Sequence, residues 1–172
     1  MVLTCWAQTR PAGKEQAKRM STPNAMVLPF GLAAEQLAVA EITYTYRSAK
    51  TGAGVQRLLL RGDGMVKLTK TRSYQAPEET LEGKLPRMNF IRLLEVAEGV
   101  NFLGLESSYR PEAGNPYWVR EIRIELPGGK THTVGVINER LQVEFEHLAG
   151  AIKAISSLAL PEVLKGRFFP NL

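Results

Sequence analysis

Apolar and polar residues alternate most regularly between Tyr117 and Ile137. Trp118, Ile122, Ile124 and Leu126 share one parity, while Tyr117, Val119, Glu121, Arg123 and Glu125 share the other. A period of two with charges on one side describes a strand with one buried face. Pro127-Gly128-Gly129 breaks the pattern, and His132, Val134 and Val136 resume it. A hairpin is predicted, since proline ends the ladder and glycine allows positive φ. Arg120 is the exception on the apolar parity, and the length of its stem predicts a head in water. Gly135 between two valines predicts a bulge or a close backbone approach.

Earlier segments repeat the period. In EITYTYR (Glu41 to Arg47), Ile42, Tyr44 and Tyr46 point one way and Thr43 and Thr45 the other. VQRLLLRGDGMVKLTK predicts a second hairpin turning at Gly62-Asp63-Gly64, with Leu58 and Leu60 before the turn and Val66 and Leu68 after it. SYQAPEETLEGK is polar and holds Pro77 and Gly83, so a surface loop is expected. A short extended piece is expected at Phe102 to Leu105.

Two segments change to a helical period. Phe90, Ile91, Leu94 and Ala97 form one stripe, with Pro86 suited to the first turn and Gly99 to the left-handed residue past the end. Leu141, Phe145, Leu148, Ile152, Ile155 and Ala159 form the other, with Asn138 as N-cap and Pro161 as the stop. The expected fold is therefore α+β: an antiparallel sheet of about five strands with two helices packed on one face. Strands followed by a helix, twice over, also hint at an internal duplication.

The first 38 residues lack any apolar period and carry a basic cluster, Lys14, Lys18 and Arg19. Residues 1–38 are expected to be an arm or linker, and residues 39–172 one α+β domain with a C-terminal tail. That tail ends in Phe168-Phe169-Pro170. Adjacent phenylalanines near a terminus are expected to bury themselves in a groove of this domain or of a partner. MVLTCWA admits two readings: an ordinary N-terminus, or the end of an export signal or lipoprotein-like box at Cys5. A cytoplasmic location follows from the first and export from the second.

Composition narrows the chemistry. The 172 residues are 44% hydrophobic and 23% charged, with a formal net charge of +5. One cysteine excludes an internal disulfide and a cysteine-rich zinc site. No apolar run approaches the roughly 20 residues that span a bilayer. The two histidines, His132 and His147, stand in no metal motif, and Glu144 and Glu146 are not at i, i+4 spacing from His147. Gly52-Ala53-Gly54 lacks the Lys-Ser/Thr of a phosphate loop, and there is no Gly-x-Ser-x-Gly elbow. Arg61-Gly62-Asp63 spells an adhesion tripeptide but reads first as a hairpin turn. Tyr44, Tyr46 and Trp118 suit either a core or a stacking platform for single-stranded nucleic acid.

Leu58–Arg61, the turn Gly62-Asp63-Gly64-Met65-Val66 and the Phe90–Ala97 helix resemble small uncharacterised bacterial α+β domains that are often exported or part of the envelope. The resemblance spans about two thirds of the chain and implies the fold. Such domains commonly carry a Cys-Pro pair before the hairpin, which this sequence lacks.

The sequence leads to a non-catalytic protein-binding or accessory subunit of a larger assembly. Its expected partner-binding residues are Lys14, Lys18, Arg19, Phe168 and Phe169, with no catalytic residue, metal or cofactor assigned. One alternative is nucleic-acid binding through scattered basic residues, the arm cluster plus Arg57, Arg61, Lys67 and Lys70. The other is an enzyme without a recognisable motif.

Overall fold

The computed structural model describes residues 27–48, 54–71, 77–110, 118–137 and 142–165. Among the described residues, seven strands form one sheet: β1 (Glu41–Ser48), β2 (Val55–Arg61), β3 (Met65–Lys70), β4 (Glu79–Lys84), β5 (Ser108–Tyr109), β6 (Trp118–Leu126) and β7 (Lys130–Ile137). Their spatial order is β4-β3-β2-β1-β6-β7-β5. All neighbours are antiparallel except β5 and β7, which run parallel. The helices are α1 (Arg87–Gly99), α2 (Val143–Ser156) and the short α3 (Glu162–Lys165).

The α+β class stands, but the sheet is larger than five strands and is mixed. Glu79–Lys84 is a strand rather than a surface loop. It forms because β3 offers a free edge, pairing Leu81 with Leu68 and Thr80 with Thr69. Phe102–Gly104 is a 3-10 turn, not an extended piece, and the pairing comes later, at Ser108–Tyr109.

Register explains the core. Ile42 lies between Leu60 and Ile124, and Tyr44 between Leu58 and Ile122. All six are buried, together with Val66, Leu68, Val134 and Val136 on the same face. That face is covered by Phe90, Ile91, Leu93, Leu94 and Ala97 of α1 and by Phe145, Leu148, Ala149 and Ile152 of α2. The opposite face carries exchanged charges: Arg47 with Glu121, Lys67 with Glu82, and Arg123 with Glu125.

Helix ends differ from expectation in three places. Gly99 is the last residue of α1, and the left-handed position falls on Asn101 (φ 50°), asparagine being the other residue that tolerates it. The N-cap of α2 is Gln142, with no side-chain cap; Asn138 and Leu141 lie outside the described residues. The helix ends at Ser156, whose hydroxyl donates back to the Ile152 carbonyl at 2.6 Å, before Pro161 is reached.

The Gly62-Asp63-Gly64 turn is also a joint. A Cβ on Gly62 would lie 1.7 Å from the Leu37 carbonyl oxygen, and one on Gly64 would lie 2.4 Å from that of Leu85. Gly62 N–H donates to Ala40 O at 3.0 Å, and Leu85 N–H to Gly64 O at 2.8 Å. Backbone meets backbone here, so both glycines are required. Arg61 and Asp63 bond each other, which holds the Asp63 carboxyl below its ordinary range. Gly135 is neither bulged nor crowded; its N–H donates to Ser107 O at 3.0 Å.

The core reaches ahead of the expected boundary at residue 39. Leu28 and Leu37 are buried members of the core. Their segment lacks a period because it is neither strand nor α-helix, only two 3-10 turns, Pro29–Gly31 and Leu37–Val39.

Candidate functional site

Residues 27–34 lie along α1 and are fastened to both its ends. Phe30 N–H donates to Glu98 Oε1 at 2.8 Å near the C-terminus of α1. The guanidinium of Arg87, the first residue of α1, donates to the Ala34 carbonyl. The turn between these ties places Phe30 (φ 57°) and Gly31 (φ 68°) consecutively in the left-handed region. For phenylalanine this conformation is uncommon and is held by its surroundings.

An open cavity of about 650 Å³ lies between this segment and the first turns of α1. Val27, Leu28, Leu32, Ala34 and Ile91 are among its walls, and among the described residues Arg87 is the one charged residue there. The volume lies within the roughly 300–1,000 Å³ usual for ligand sites. Val27, at the start of the described segment, is 88% exposed. Arg87 retains donors beyond the one given to Ala34, so its wall suits a carboxylate or carbonyl beside an apolar group.

The second notable group is buried. Arg120 does not reach water: its side chain is 8% exposed, and that of its partner Glu146 is 12% exposed. Nη1 donates to Glu146 Oε2 at 2.7 Å, and Nη2 donates to Oε1. The guanidinium carbon lies 4.8 Å from the Trp118 ring centre and 5.5 Å from that of Phe145. Burial opposes the Arg120 charge, but the bond to Glu146 and the neighbouring Tyr44 hold it above the ordinary guanidinium value. Burial also pushes the Tyr44 phenol well above its usual value, against the opposing effect of Arg120, so it stays protonated.

Arg120 belongs to a transverse row at one end of the helix-covered face. Lys70, Gln56, Tyr46, Arg120 and Val136 stand side by side on β3, β2, β1, β6 and β7. Among the described residues, Arg120 Nε and Gln56 Oε1 find no hydrogen-bond partner. The row docks the first turn of α2 through Glu146. Arg120 and Glu146 are committed to each other, and Tyr44 keeps its proton, so none of these three is poised as a base.

The residues expected from sequence to bind a partner, Lys14, Lys18, Arg19, Phe168 and Phe169, lie outside the described residues. Of the hairpin cations, Arg57, Arg61 and Lys67 share the face away from the helices, and Lys70 lies on the other. Arg61 is bonded to Asp63 and Lys67 to Glu82. His147 is exposed on α2, and His132 Nε2 lies 3.0 Å from Leu105 O with its ring edge-on to Phe102. Tyr44 is fully buried against Phe145 of α2 and offers no stacking face, while Trp118 is half-buried beside Arg120. Among the described residues, no group of three or more potential metal ligands assembles, and no helix is long and apolar enough to cross a membrane.

Sequence reasoning singled out Arg120 as the exception on an apolar parity but expected its head in water, and so missed the buried pair with Glu146. The cavity left no signal, because its walls come from an aperiodic segment and from the start of a helix.

Fold and site together define a mixed α+β domain with an open apolar cavity beside a cation. Compared with known proteins, the chain matches no family model and no curated protein.

Proposed function

We propose that the protein is a non-catalytic protein-binding domain, an accessory subunit whose cavity between residues 27–34 and α1 receives an apolar side chain of a partner. The observation that carries this reading is the open apolar cavity of about 650 Å³ with Arg87 on its wall. Water gains nothing from such a surface, whereas one buried Leu or Phe would contribute roughly 1.5–3 kcal/mol. Arg87 would donate to a carboxylate or carbonyl next to that anchor, fixing its orientation. The occupant expected is therefore an extended polypeptide with an apolar residue near an acidic or carbonyl group.

The experiment is recovery of native complexes from the source cell, comparing the unaltered chain with Ala34→Trp and Arg87→Glu. Ala34 is exposed on the cavity wall, so tryptophan there fills the space without entering the core. Both variants should keep the melting temperature within a few degrees and lose the partner. Recovery of the same partner with both would overturn the reading.

A further inference from the structure

We propose that two copies of this chain join edge to edge through β4, antiparallel, about a two-fold axis normal to the sheet. This rests on the edge of the sheet alone and not on the cavity.

β4 is the outermost strand at its end of the sheet. One side pairs with β3 from Met65↔Lys84 to Lys70↔Glu79; on the other, no described strand follows. An open strand edge offers a row of N–H and C=O groups that another strand can satisfy. The strand has no proline or bulge within it, and Pro77 and Pro86 stand just outside. At the other end of the sheet, β5 pairs with Gly135 and Val136 of β7.

Symmetry restricts the register. A two-fold axis normal to the sheet keeps the helices of both copies on the same face, so one residue must lie opposite its own counterpart. Centring on Leu81 places Thr80 opposite Glu82 and Glu78 opposite Lys84, each twice. Opposite charges then face each other across the junction, which stabilises paired strands. On the helix-covered side, Leu81, which is aligned with buried Leu68, meets its own copy, and Glu79 faces Gly83. Centring on Glu82 instead sets Glu82 against Glu82 and loses the Glu78–Lys84 pairs. Centring on Gly83 also sets Glu82 opposite Lys84 but places Pro86, which has no N–H, opposite Thr80, so the Leu81 register keeps the longer ladder.

A separate observation lies above the same strand. An ideal Cβ on Gly83 would sit 2.8 Å from the Ala159 carbonyl oxygen, so the chain after α2 rests directly on β4. That stretch exposes two large apolar residues, Leu158 at 71% and Leu164 at 57%. A second copy brought against β4 would bring the same pair toward this end of the sheet. Joined so, two seven-stranded sheets become one.

Sedimentation velocity and light scattering on the full chain test this across a range of concentrations. A mass near twice 19.1 kDa, falling toward 19.1 kDa on dilution, is expected. Lys84→Glu and, separately, Glu78→Lys place like charges opposite each other and should weaken dimerisation about tenfold or more. The double variant Glu78→Lys/Lys84→Glu restores opposite charges and should recover the original affinity. Glu78 and Lys84 are both exposed, so each protein should keep its melting temperature. A monomer at every concentration, or a dimer indifferent to both single variants, or a double variant no better than the singles, would overturn the proposal.

Discussion

Arg120 shows how far a single residue can depart from its local pattern. Long side chains on an apolar parity usually reach water with their heads. Here α2 closes over that exit and brings Glu146 to the guanidinium, so the charge is paired instead of solvated. Removing one partner leaves the other buried and uncompensated, which typically costs roughly 3–5 kcal/mol. Glu146→Ala should lose about that much in urea unfolding. Arg120→Met combined with Glu146→Leu should lose far less, because both charges leave together and apolar packing replaces them. Equal losses in the two proteins would mean that the pair is not the element holding the first turn of α2. Arg120 was legible as an anomaly, but its partner was not. Glu146 lies 26 residues later and shows in sequence only as an acidic residue near a helix start.

Elements were legible wherever one face is buried and the other is not. The predicted stripe of α2 is correct in its middle: Phe145, Leu148 and Ile152 are fully buried against the sheet. Phe145→Ala and Ile152→Ala should each cost roughly 2–5 kcal/mol. Val143, exposed at the start of the same helix, should tolerate alanine within about 0.5 kcal/mol. Similar losses at all three sites in chemical denaturation would contradict the assigned face. β4 escaped because Leu81 is its one apolar side chain apart from glycine, so no alternation marks it. An edge strand takes its conformation from the neighbour it pairs with. β5 escaped for the same reason in a stronger form, being two residues held by pairing with Gly135 and Val136.

At the scale of the whole molecule, the sheet and its helices are joined to a segment that looks like linker. Leu28, Leu37 and Ala40 are buried, and the Leu37 carbonyl closes onto Gly62. The folding unit should therefore take in residues 28–40 rather than start at 39. A chain lacking residues 1–26 should melt with undiminished cooperativity and a midpoint within a few degrees of the full chain. Removing residues 1–40 should lower the midpoint by far more, since the buried Leu28, Pro29, Leu37 and Ala40 and the cover over the Gly62 joint go with it. Equal melting of the two truncated chains would place residues 27–40 outside the core.

The sequence by itself determined the α+β class, the two hairpins, the two main helices and the face each buries. Periods of two and near 3.6 are written locally and survive without knowledge of partners. Only the tertiary structure decided the outer strands, the pairing of Arg120 with Glu146, the joint at Gly62 and the cavity beside Arg87. Each depends on two segments distant in the chain meeting at a surface, and no local period encodes that meeting.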